Sequence, residues 1–162
     1  MSSKRTTARV NGAVAGAIAA AVWAAQQPLD KRAFRFPFDD VELLGKAVTR
    51  GRGWRLAGTA IHVANGAAFG AVYSALAPRA KRLPPWSRGP AIALGEHLLT
   101  WPATAITDRH HPARAELPSL RGSPRAFAQA TWRHLLFGVV LGELERRGRV
   151  SRKPWSRARR RP

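Results

Sequence analysis

No cysteine occurs among the 162 residues, which excludes a disulfide framework and any thiolate metal site. Acidic residues are scarce: 9 Asp and Glu stand against 28 Lys and Arg, giving a formal net charge of +19. No nucleophile elbow, phosphate loop, dinucleotide fingerprint or catalytic-triad spacing is present. No catalytic residue, cofactor or metal is therefore assigned. The slightly negative mean hydropathy, −0.26, suits a soluble basic protein, but the distribution of charge reverses that reading. Nine basic residues follow Glu145 in RRGRVSRKPWSRARRRP, and three precede Val10.

Between these basic ends lie four apolar segments, 10–29, 56–78, 89–107 and 127–144. A bilayer-spanning helix needs about 20 mostly apolar residues. The first two segments carry no formal charge. The third contains Glu96 and the fourth Arg133, each with a histidine beside it, His97 and His134. A central Arg costs roughly 2.5–3.5 kcal/mol on insertion scales, so such residues face a bundle interior and find partners there. The expected fold is all-α: a transmembrane four-helix bundle with helices over about 10–29, 56–78, 89–107 and 125–145. A cytoplasmic tail, 1–9, precedes the 10–145 membrane domain. A soluble Ala-rich bundle is the competing reading, but segment 56–78 lacks the charged stripe of a solvated helix. Lys4, Arg5 and Arg9 ahead of an apolar core also fit a signal peptide cut near Ala25.

Small residues recur at the spacing that lets helix backbones approach closely: Gly12 and Gly16, Gly66 and Gly70, Gly138 and Gly142, with Ala91 and Gly95 as a weaker pair. Helical periodicity puts His62 with Gly66 and Gly70, and His134 with Gly138 and Gly142. Glu96 and Arg133 both fall near mid-span on antiparallel segments. The expectation is a Glu96–Arg133 salt bridge with His62, Asn65, His97 and His134 around it. That cluster either fixes helix register or marks a proton or solute pathway. Imidazole and carboxylate ligation of a metal is disfavoured, because no E-x-x-H spacing occurs and Arg133 would compete with a cation; bis-histidine haem ligation is a minor alternative. Asp108, His110 and His111 read as a solvated loop group.

Positive-inside counting places both termini in the cytoplasm, on the inner face of a bacterial plasma membrane. Trp54 and Trp86 precede segments two and three, and Trp23 fits the far end of segment one; all three read as interfacial anchors. Within the first long loop, Asp39 or Asp40 can cap a short amphipathic interfacial helix. Val41, Leu44 and Val48 form one face of it, Glu42 and Lys46 pair on another, and Gly51 or Gly53 ends it. Ser123-Pro124 reads as an N-cap followed by Pro at N1. The tail, 146–162, is too charged and too poor in apolar residues to build a core, and is expected to be disordered. Its nearest polyanion is an anionic lipid surface; nucleic acid is the alternative partner.

The stretches IHVANGAAFGAVYSALAP, EHLLTWP and WRHLLFGVVLGELE resemble small four-helix membrane proteins from actinobacteria. The His62, Asn65-Gly66, Phe69-Gly70, Tyr73 pattern is similar to that of the YagU-like inner-membrane proteins. These resemblances imply an integral membrane protein without assigned activity and supply no catalytic residues. The expected function is structural or auxiliary within the lipid bilayer, in contact with itself or other membrane proteins. The alternatives are a small transporter or proton-conducting component, and a soluble nucleic-acid-binding protein.

Overall fold

The computed structural model describes residues 2–150, and all regular structure among them is helical. α1 (Ser2–Phe34), α3 (Trp54–Leu76), α4 (Arg88–Thr100) and α6 (Pro124–Val150) are the principal helices. α2 (Asp40–Val48) and α5 (Thr104–His110) are short. The main interfaces join α3 to α1, α1 to α6, α6 to α4 and α2 to α3. α1 and α6 are thus the two inner helices, and α3 and α4, packed on α1 and α6 respectively, stand on either side of an open cleft.

The helix ends differ from expectation for identifiable reasons. α1 begins at Ser2, so residues expected in an N-terminal tail are helical. It also runs five residues beyond 29, straight through Pro28. The proline removes one backbone donor, but Asp30 and Gln27 beside it are buried and held by side-chain hydrogen bonds. Arg35 closes the helix at φ 50°. The Arg35 N–H reaches the Arg32 carbonyl and the Phe36 N–H reaches that of Lys31. This is the 6→1, 5→2 closure that glycine usually provides. Segment 89–107 is not one helix. α4 has 13 residues, about 20 Å at 1.5 Å per residue. Pro102 cannot donate to the preceding turn, and Trp101–Ala103 tightens to a 3-10 turn before α5. Pro124 opens α6 at N1, and the Ser123 hydroxyl accepts from the Ala126 N–H. Of the expected basic tail, residues 146–150 continue α6; 151–162 lie outside the described residues.

Glycine sets two of the helix contacts most tightly. A Cβ on Gly16 would collide with the Gly66 carbonyl, and one on Gly70 with that of Gly12. α1 and α3 therefore cross antiparallel with backbones touching. On the other side, Gly138 meets Gly89, and Gly142 lies beside Gly89 as well. α2 reaches α3 by the same device, Gly45 against Gly58 and the Trp54 carbonyl. This seats α2 on the bundle through Gly45, leaving Val48 of its expected apolar face 68% exposed. Asp39 caps α2 by accepting from the Glu42 N–H at 3.0 Å and also pairs with Lys31. Burial pushes the Asp39 carboxyl up. Lys31 and the Glu42 amide outweigh that and hold it below its ordinary value. Lys46 bridges Glu42 and Glu116, and Arg50 joins Glu116, tying α2 to the 111–123 loop.

That loop is ordered from within. Asp108 accepts from the Leu120 and Arg121 amides and the Ser119 hydroxyl. His111, expected in solvent, is buried. Its Nε2–H donates to the Leu43 carbonyl, and its Nδ1 accepts from the Ala113 amide.

Candidate functional site

Polar side chains gather at two places in the bundle, and neither is the expected pair. Arg133 is fully buried, and its fork closes on Asp30 rather than Glu96: Nη2 to Oδ1 at 2.6 Å and Nε to Oδ2 at 2.7 Å. Its remaining donors go to Asp40 Oδ2 (2.5 Å) and to the Phe38 carbonyl (2.9 Å). Gln129 donates to Asp30, and Gln26 does so from the same helix. The Trp23 indole donates to Asp40, and the Asp40 amide donates to Gln27. The expected Glu96–Arg133 bridge is therefore corrected. The long Arg133 side chain reaches the end of the bundle where α1 turns into α2, not the middle where Glu96 lies. A planar guanidinium binds a carboxylate best with both arms, and Asp30 offers that geometry.

Glu96 pairs with His134 instead, Oε2 to Nε2 at 3.2 Å. The His134 Nδ1 lies 2.8 Å from the Ala130 carbonyl. His97 stacks on His134, ring centroids 4.6 Å apart and planes 30° from parallel. The His97 Nε2 approaches the Thr131 hydroxyl, which already donates to the Phe127 carbonyl. That hydroxyl can then only accept, so His97 carries its proton on Nε2. His62 donates from Nε2 to the Ala20 carbonyl across the α1–α3 contact. Asn65 is exposed one turn further along α3. Of the expected cluster, Glu96, His97 and His134 thus meet directly, while His62 and Asn65 lie across the cleft and Arg133 belongs elsewhere.

The cleft has a volume of about 630 Å³. His62, Asn65 and Phe69 of α3 form one wall and Glu96 and Thr100 of α4 the other. Trp23 and Phe137 form the floor, with Asp40 and Leu43 of α2 at one margin. Trp23, expected at an interface, is 8% exposed and meets the edges of His62, His134 and Phe137. The signal for its position is in the sequence: Trp23, Gln27 and Asp30 recur at i, i+4 and i+7, one helical face. Asp30 and Asp40 are not picked out by the sequence, because carboxylates near segment ends read as loop charge; nor is Gln129, because a lone amide in an apolar run carries no charge to mark it. Among the described residues, no group of three or more His, Asp or Glu is arranged to hold a metal ion.

These features define an all-helical protein in which α1, over Arg5–Phe34, is long and apolar enough to cross a membrane. The chain matches no protein-family model, no curated protein and no solved structure.

Proposed function

We propose that the chain is a multi-pass protein of the bacterial inner membrane that binds a small amphipathic solute in the cleft between α3 and α4. The observation that carries this is the distribution of polarity. Inside lie Arg133, Asp30, His62, His97 and Gln129, while Val10, Val14, Ile18 and Val22 form an outward stripe along α1. Only a third of the spanning stretch of α1 is covered by the rest of the molecule. Leu56, Val72 and Leu76 of α3, Leu98 and Leu99 of α4, and Val139 of α6 add to the outward apolar surface. A soluble bundle turns such stripes inward.

In this reading α1, α3, the bent α4–α5 unit and α6 cross the bilayer, with both termini cytoplasmic. Trp86, 75% exposed ahead of α4, suits the headgroup level. The basic C-terminal residues would lie against anionic lipid. The buried Arg133–Asp30–Asp40 network supports an architectural role for that end of the bundle. The open cleft at Glu96 favours a solute-handling role over a purely structural one. Its volume suits a small ligand, and its lining combines aromatic surface with few polar groups.

The absence of native cysteine allows a direct test. Single Val14→Cys and Ile18→Cys variants in membrane vesicles should resist a water-soluble maleimide until detergent is added, whereas Asn65→Cys should react through the cleft. Equal, rapid labelling of all three positions would contradict the reading.

A further inference from the structure

We propose that the cleft is a site for a lipophilic organic cation, bound at Glu96 in exchange for one proton. The inference rests on the reading of the cleft as a ligand site. It starts from a local inversion of charge. The whole chain has 28 Lys and Arg against 9 Asp and Glu, yet among the described residues lining the cleft there is no Lys or Arg, and two carboxylates, Asp40 and Glu96. The Glu96 side chain is 40% exposed. Asp40 is already engaged by Arg133 and Trp23, which leaves Glu96 as the accessible anion. Around it, Phe69, Phe137 and the Trp23 ring offer apolar and π surface, which attracts a desolvated cation. An anion would meet a carboxylate here, and a neutral solute would gain no charge attraction from it.

The proton follows from hydrogen-bond logic. A carbonyl oxygen only accepts, so the Ala130 carbonyl fixes a hydrogen on His134 Nδ1. The other nitrogen, Nε2, faces Glu96 Oε2. A neutral His134 beside an ionised Glu96 would set lone pair against lone pair. One proton therefore lies between them, as imidazolium with carboxylate or as imidazole with carboxylic acid, and it belongs to the pair. The groups facing this pair are His97 stacked on it, His62 across the cleft on α3, and Asp40 on α2, whose charge is offset by Arg133. None is a mobile cation. An organic cation at Glu96 replaces the charge of that proton. The Oε2···H···Nε2 bridge opens, the proton passes to water through the cleft mouth, and neutral His134 keeps its Nδ1–H. Charge balances: one cation enters and one proton leaves.

The test uses the purified full chain in detergent and two ions of the same shape and opposite sign, tetraphenylphosphonium and tetraphenylborate. Saturable binding is expected for the cation alone. Close to one proton should be released per cation, read from the dependence of calorimetric enthalpy on buffer ionisation. Affinity should rise about tenfold per pH unit while the pair holds its proton. Glu96→Gln, in which the amide can still donate to His134, should weaken the cation about tenfold or more at unchanged helicity. Ala68→Trp, which fills the exposed lip of the cleft, should block it independently of Glu96. Equal binding of both ions, both lost in Ala68→Trp, would overturn the cation assignment and leave the cleft a ligand site. Cation binding untouched by both substitutions would overturn the cleft reading as well.

Discussion

Arg133 and Asp30 show how one residue pair organises this bundle. A buried guanidinium without a partner is destabilising by several kcal/mol, and Asp30 removes most of that cost through two parallel hydrogen bonds. Glu96 holds no comparable position, because its partner is a histidine and its side chain is 40% exposed. The two acids should therefore behave differently. Asp30→Asn should lower stability in detergent by about 3–5 kcal/mol, measured by thermal or denaturant unfolding. Glu96→Gln should cost about 1 kcal/mol or less. The reverse order would return Arg133 to Glu96. The presence of two costly residues in apolar segments was legible in the chain, but their partners were not. Depth along a straight helix matched Glu96 to Arg133. An arginine side chain, among the longest available, does not bind at the depth of its own backbone. Trp23, Gln27 and Asp30 carried the missing signal as a helical face, hidden by their place at the end of an Ala-rich run.

At the scale of elements, the close contacts are made by backbone, not by interlocking side chains. α1 and α3 cross with Gly12 and Gly16 against Gly70 and Gly66, and α4 meets α6 at Gly89 and Gly138. Gly66→Leu should force α1 off α3 and, because His62 and Ala20 bond across that contact, deform the cleft wall too. The expected loss is about 1–3 kcal/mol or more, with cation binding reduced in parallel; Gly53→Leu, at a position with open space around it, should leave both unchanged. The four-residue glycine spacing marks the faces of α1, α3 and α6 in the sequence, but on α4 it points to Ala91 and Gly95, which are exposed, whereas the contact is made by Gly89; the pairing of faces depends on helix order in space. The short helix after α1 was similarly visible: Asp39, Glu42 and Lys46 stand where capping and i,i+4 pairing require. Its seat on Gly58 was not visible, since Gly45 reads as an ordinary small residue. The break at Trp101–Ala103 was signalled by Pro102, but the apolar run on both sides outweighed it.

For the molecule as a whole, polarity runs from inside to outside in the order expected of a protein solvated by lipid. α3 has 23 residues and α6 has 27, about 35 and 40 Å at 1.5 Å per residue, against a hydrocarbon core near 30 Å. In the proposed multi-pass reading, α4, with 13 residues, is too short alone and would cross only together with the 3-10 turn and α5. Among the described residues, α1 alone combines the length and the mean hydropathy of a spanning helix, 1.3 over its most apolar stretch. The others interrupt their apolar runs with His62 and Asn65 in α3, Glu96 and His97 in α4, and Arg133 and His134 in α6, which lowers their mean hydropathy. The +19 charge could also hold a soluble protein on a membrane by electrostatics alone, and that association dissolves in salt. The most direct measurement is therefore extraction of native membranes with high salt and then with alkaline carbonate, without detergent. The chain should stay in the membrane pellet through both and leave it only in detergent; release by salt or carbonate would contradict the integral membrane assignment.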